Sequence, residues 1–151
     1  MSVDRGLPEV LIVEDSDEDH DTVLEALGGI DLPVRTRRAE SGDECLAMLA
    51  GSGDRQPVRP ALLLLDLNTP GRDGRATLRA IRDDGGLGPL PTIVMTTSSN
   101  PRDVELCYAL GANAYHVKPF DYVEHLAALR GLFDYWLRRV TLPGREGPRR
   151  P

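Results

Sequence analysis

Five short apolar segments recur along the chain, each followed by a stretch of helical periodicity. The strand candidates are Glu9–Val13, Val34–Arg38, Ala61–Leu65, Thr92–Thr96 and Ala114–Val117. The helix candidates are Asp17–Leu27, Asp43–Ala50, Arg75–Asp83, Asp103–Leu110 and Tyr122–Val140. Five-fold alternation of strand and helix implies an α/β fold with a parallel sheet. Local signals agree with this division. Ser16, Ser41 and Asp121 stand where a side-chain oxygen would accept from the free amides of a helix start. Pro101 follows Asn100 as a first-turn proline, and Gly28-Gly29 and Gly111 stand where helices stop. Pro70-Gly71 and the run Gly85-Gly86-Leu87-Gly88-Pro89 mark loops.

The strands differ in a way that orders them. VLIV, ALLLL and TIVM are near-continuous apolar runs, the pattern of strands covered on both faces. VRTRR carries three arginines and AYHV is short and mixed, so both belong at sheet edges. Strands one, three and four are then central. The order 2-1-3-4-5, a doubly wound arrangement, satisfies this.

Composition narrows the class. The chain has 151 residues, 40 % of them hydrophobic, which suits one folded domain. We expect that domain over residues 8–140 and a flexible tail over 141–151. No apolar run approaches the ~20 residues of a membrane span, and the start lacks the marks of a signal peptide, so a cytoplasmic protein with no membrane contact is expected. Cys45 and Cys107 are isolated, without the spacing of a zinc site. The net charge is −6. Apart from the strand candidate VRTRR, the basic cluster outside the helix patterns is the tail GREGPRRP, so no direct DNA binding is expected.

Candidate chemistry gathers at the carboxyl ends of the strands, where the strand order reverses. Strand one ends in Glu14-Asp15 and strand three in Asp66. Like charges so close raise one another's pKa, and a hard divalent cation with oxygen ligands such as Mg²⁺ relieves them. Strand four ends in Thr96-Thr97-Ser98-Ser99 and strand five in Val117-Lys118-Pro119, adding a hydroxyl and an ammonium. Cation-binding acids, a central carboxylate, a hydroxyl and a lysine are what phosphoryl transfer to an aspartate needs.

The motifs LIVEDS, LLLLDLNTPGRDG, PTIVMTTSS and GANAYHVKPF, in that order, resemble the receiver domains of two-component response regulators. The resemblance runs from Pro8 to Val140. It implies a flavodoxin-like (βα)5 fold in which Asp66 is the phosphoacceptor. It implies a Mg²⁺ site made of Asp15, a water-mediated Glu14, Asp66 and the backbone carbonyl of Asn68. Thr96 resembles the switch hydroxyl, Lys118 the phosphate-pairing lysine, and Tyr115 the aromatic that turns inward on activation. Lys118–Pro119 resembles the family's cis peptide. Thr97 stands where many receivers carry Ala or Gly, and its bulk beside the phosphate bears on dephosphorylation.

DLNTPGRDG with TTSSN, and the ending FDYWLRRVTLPG, resemble single-domain regulators paired with phytochrome-type sensor histidine kinases. No DNA-binding helix-turn-helix pattern follows, so output through protein contacts is expected, or else a relay or phosphate-sink role. An aspartate-nucleophile phosphatase would need a second Asp where Asn68 stands. A nucleotide-binding domain of similar winding would need a glycine-rich loop where EDSDEDHD stands. On a wheel of 3.6 residues per turn, the apolar residues of the last helix cover about half the circumference. Phe133, Trp136, Leu137 and Val140 are therefore expected to project past the sheet as a homodimer or docking interface.

Overall fold

The computed structural model describes residues 6–143 except 70, 72 and 88. The loop signals at Pro70 and Gly88, and most of the expected tail, lie outside the described residues.

Strands β1 (Glu9–Val13), β2 (Arg35–Ala39), β3 (Leu62–Asp66), β4 (Thr92–Thr96) and β5 (Ala114–Val117) alternate with helices α1 (Asp17–Gly28), α2 (Gly42–Ala50), α3 (Gly74–Asp83), α4 (Pro101–Ala109) and α5 (Tyr122–Phe133). All pairings are parallel, and the order is β2-β1-β3-β4-β5. The expected order is therefore the observed one. Two strands shift by one residue at both ends. β2 runs on to Ala39, which pairs with Val13, and β3 runs on to Asp66, which pairs with Met95.

The continuous apolar runs have a direct cause. Successive strand residues face opposite sides, and both sides are covered. Leu11, Val13, Leu63, Leu65 and Val94 pack with Cys45, Leu49, Leu78, Ile81 and Cys107. Val10, Ile12, Leu62, Leu64, Ile93 and Met95 pack on the other face with Val23, Ala26, Leu27, Leu129, Leu132 and Phe133. Helices α2, α3 and α4 thus cover one face, and α1 and α5 the other.

The caps are those the sequence signals. The Ser16, Ser41, Asn100 and Asp121 side chains each accept from a first-turn amide, which satisfies donors the helix itself leaves open. Asp73 caps α3 in the same way. At Gly74 a β-carbon would stand 2.6 Å from the Leu67 Cα, so only glycine lets α3 start so close beneath the end of β3.

At the amino-terminal end of the sheet, Arg82 of α3 donates to the carbonyls of Gly111 (2.9 and 2.6 Å) and Leu90 (2.9 Å). It also reaches Asn113 Oδ1 at 3.2 Å. Asn113 in turn accepts from the Thr92 amide at 2.8 Å.

The last helix departs from expectation. It is α-helical only to Phe133 and continues as a π-helical segment over Asp134–Arg139. That segment's wider i→i+5 bonding ends in a 3.0 Å bond from the Val140 amide to the Tyr135 carbonyl. The change of phase falls after Phe133, so a uniform wheel misplaces only residues within and beyond that segment. Phe133 is no interface residue: it is fully buried, on the inward stripe with His125, Leu129 and Leu132. Trp136 and Leu137 are half-buried against the same core. Val140 is half-buried in a groove with Trp136, Arg82, Leu90 and Leu142. The aromatic that projects is Tyr135, 56 % exposed.

Phe133→Ala is expected to destabilise the domain by about 3–5 kcal/mol through loss of buried surface and a residual cavity. Tyr135→Ala is expected to stay within about 0.5 kcal/mol of the parent. Urea unfolding curves of the two variants check this.

Candidate phosphoacceptor and cation site

The crevice lies where β1 and β3, neighbours in space, send their following helices to opposite faces. Glu14 is fixed by the strand ladder: its amide bonds the Ala39 carbonyl at 2.9 Å, and Arg38 Nε donates to its carbonyl at 3.0 Å. Arg38 also holds Asp17 at 2.7 Å, so the arginine of edge strand β2 braces the acidic turn after β1. The Lys118 amide bonds the Thr96 carbonyl at 2.7 Å, one residue past the end of the β4–β5 ladder. This sets lysine and threonine side by side.

Glu14 and Asp66 are buried and Asp15 is exposed; one carboxylate oxygen from each lies within 4.8 Å of the others. Among the described residues this is the one such cluster. Hard oxygen donors at this spacing fit a small divalent cation that keeps several waters. The Lys118 Nζ sits among the acids, 2.9 Å from Glu14 Oε1, 2.9 Å from Asp66 Oδ2 and 2.9 Å from Asp19 Oδ2. The second Asp66 oxygen, Oδ1, accepts from the Asn68 amide at 2.9 Å, which orients the carboxylate.

The Thr96 hydroxyl is fully buried. It accepts from Asn68 Nδ2 at 3.3 Å and from the Ser98 amide at 3.2 Å, so its own proton remains to be donated. Tyr115 donates to the Ser98 carbonyl at 2.9 Å. The Ser98 hydroxyl donates to Asp103 at 2.7 Å, and Asp103 is paired with Arg75 of α3 at 2.6 Å. A continuous set of hydrogen bonds thus leads from Asp66 through Asn68, Thr96 and Ser98 to helices α4 and α3.

Burial pushes the Glu14 carboxyl up to about 7, against the pull of its bond to Lys118 and with a further push from Asp66. For Lys118, burial favours the neutral amine, but the bonds and charges of Glu14 and Asp66 together outweigh it. The ammonium is held above its ordinary range.

The expected residues Glu14, Asp15, Asp66, Thr96 and Lys118 are therefore gathered in one crevice. Thr97 is exposed beside Thr96. Asn68 joins the site through its amide and side chain. The Lys118–Pro119 bond is not cis, because the described backbone contains no cis peptide. The trans form is the lower in energy for X–Pro by about 0.5–1 kcal/mol, and here it already delivers the lysine to the acids.

Two residues were not anticipated. Asp19 is the third residue of α1, three after the cap Ser16, in an acidic run that gives no contrast to single it out. His125 lies four after its helix cap Asp121, at the start of the buried stripe. It is buried with Nδ1 unbonded, beside a cavity of about 10 Å³ that Glu14, Asp66 and Lys118 also line. Burial, and then the Lys118 charge, lower its pKa.

A family model described as the response regulator receiver domain matches residues 10–130. The response regulator Rcp1 of Synechocystis sp. is 36 % identical over 145 residues, covering 95 % of this chain and 99 % of the relative. The crystal structure of the phosphorylated cyanobacterial phytochrome response regulator RcpA superposes with a TM-score of 0.86 at 33 % identity, covering 91 % of this chain and 99 % of that one. The Mn²⁺-bound form of Rcp1 gives 0.85 at 35 % identity, covering 90 % and 99 %.

The raised Glu14 value fixes the direction of a pH effect. Its proton stabilises the metal-free fold below the ordinary value of 4.5, and that contribution is lost as pH rises through about 7. A cation competes with the same proton. Apparent Mg²⁺ affinity is therefore expected to rise about tenfold between pH 6 and pH 8, and Glu14→Gln is expected to flatten the rise. NMR titrations at the two pH values measure both.

Proposed function

The chain belongs to the response regulator receiver family, and from that premise we propose that Asp66 is the residue that accepts the phosphoryl group. The observation that carries this is the Asp66 carboxylate itself. It is buried at the end of β3, with one oxygen on the Lys118 ammonium and the other on the Asn68 amide. Phosphoacceptor signalling is the activity of the domain; the assignment of roles to residues is ours.

Glu14, Asp15, Asp66 and the Asn68 carbonyl would hold a divalent cation, Mg²⁺ in the cell, as the Mn²⁺ form of Rcp1 suggests by likeness. When bound, the ion supplies positive charge to oxygens of the transferring group. The chain's own groups do the rest. An Asp66 oxygen attacks the phosphorus of the donor, and the donor's bond to phosphorus breaks. Lys118, already in contact with Asp66, neutralises an oxygen of the arriving group. Thr96 donates its free proton to another. The Thr96 side chain is then drawn toward the phosphoryl group, and Ser98, Tyr115, Asp103 and Arg75 are linked to that movement through their hydrogen bonds.

The donor we propose is the phosphohistidine of a sensor kinase. A phytochrome-type kinase is favoured by likeness to RcpA. No helix among the described residues is long and apolar enough to cross a membrane, and we place the protein in the cytoplasm as part of the same proposal. Output is by protein contact. A relay or sink role uses the same chemistry and differs only in where the phosphoryl group goes next. Pairing of two copies through the end of the last helix is retained as a proposal. It now rests on exposed Tyr135 and half-buried Trp136, whose rings meet edge to face at 6.0 Å.

With acetyl phosphate and Mg²⁺, intact-mass spectrometry is expected to find one labile phosphoryl adduct, absent from Asp66→Asn. An adduct persisting in that variant overturns the assignment. Light scattering at micromolar concentration, with and without beryllofluoride, is expected to find a dimer that Tyr135→Ala/Trp136→Ala weakens; a monomer in both states removes the pairing.

A further inference from the structure

The Lys118 ammonium has three protons to donate, and it has three carboxylate acceptors at equal distance, Glu14, Asp66 and Asp19. The first two belong to the cation cluster, whereas Asp19 does not. Asp19 comes from a rigid place. It sits in the first turn of α1, where its amide is capped by Ser16 Oγ at 3.2 Å. Its side chain is 37 % exposed, against 6 % for Glu14 and 7 % for Asp66. Water can therefore support its charge, as it cannot for the other two.

Two like-charged groups want the same buried oxygens. A divalent cation in the cluster draws on Glu14 and Asp66, and each acceptor it claims is one the ammonium must share. Without another partner, Lys118 would either resist the cation or leave the crevice. Asp19 is the acceptor the cation does not claim.

We propose that Asp19 is a positioning residue for Lys118: it keeps the ammonium at the crevice, off the metal ligands, when the cation binds. The inference rests on the phosphoacceptor reading above and assigns a role to a carboxylate outside it. A plain charge effect would also favour cation binding, so the two explanations are separated by asking whether Asp19 acts through the lysine.

The test is a double-mutant cycle on the full chain, with Mg²⁺ affinity from calorimetry as the readout. In the parent, Asp19→Asn is expected to weaken Mg²⁺ binding about threefold, the scale of one partly exposed ion pair. In the Lys118→Ala background, the same change is expected to alter affinity by less than about 1.5-fold, since the lysine to be positioned is gone. Asp19→Glu is expected to recover part of the parent affinity. In the metal-free protein, Asp19→Asn is also expected to shift the side-chain methylene resonances of Lys118. Equal weakening in both backgrounds makes Asp19 a bare charge and overturns the proposal, as does unchanged affinity in the parent. If the parent binds no Mg²⁺, or carries its phosphoryl group elsewhere than Asp66, the phosphoacceptor reading falls and this inference with it. A parent that binds Mg²⁺ and is phosphorylated on Asp66, with no effect of Asp19, sinks the inference alone.

Discussion

One ammonium makes the crevice possible. Glu14 and Asp66 are buried acids at the ends of adjacent strands, and burial of unpaired charge is costly. Lys118 reaches both, from the far side of the sheet. It can do so because the β4–β5 ladder runs one bond past its last strand residue, placing the lysine backbone beside Thr96. On the proposed reading, the lysine stands in for positive charge that phosphoryl transfer later needs in the same place. A site that must attract a cation and an anionic group is kept folded, in their absence, by a side chain that can be reassigned to either.

This economy extends outward. Arg38 of the edge strand braces the acidic turn by its backbone carbonyl, leaving the Glu14 carboxylate to the crevice. Asn68 orients Asp66 with its amide and touches Thr96 with its side chain. Because Thr96 only accepts in these contacts, its proton is held in reserve. The residue types are ordinary; what makes them a site is that the Thr96 proton stays free while the Asp66 oxygens are held by bonds that can be exchanged.

Most of the fold and much of the crevice were legible in the sequence, for physical reasons. Strands buried on both faces must be apolar throughout, so β1, β3 and β4 announced themselves as central. Helix starts must satisfy free amides, so Ser16, Ser41 and Asp121 marked boundaries, and Pro101 after Asn100 marked another. Asp66 and Glu14-Asp15 stood out because strand ends at a reversal of strand order converge. Asp19 and His125 were hidden because their roles depend on which helical face meets Lys118, and an acidic run such as EDSDEDHD gives no contrast between faces. Phe133 was misassigned because it was grouped with the helix end beyond it, although it closes the regular α-helical stripe of His125, Leu129 and Leu132 against the core. The trans bond at Pro119 could not be read either, since the sequence Lys-Pro permits both isomers.

The two poles of the molecule are built on opposite terms. At the carboxyl end of the sheet, acids, a cationic side chain and a hydroxyl share bonds that can be exchanged. At the amino end, Arg82 welds the close of α3 to the carbonyls ahead of β4 and β5, while Asn113 locks the first residue of β4. An arginine cannot lose its charge at any pH the protein meets, and backbone carbonyls do not change partners as side chains do. The sheet is in effect clamped at its foot. On the proposed reading, a rearrangement provoked at the crown has no slack below to dissipate into and would fall on the crown's own loops, those that lead to α3, α4 and α5.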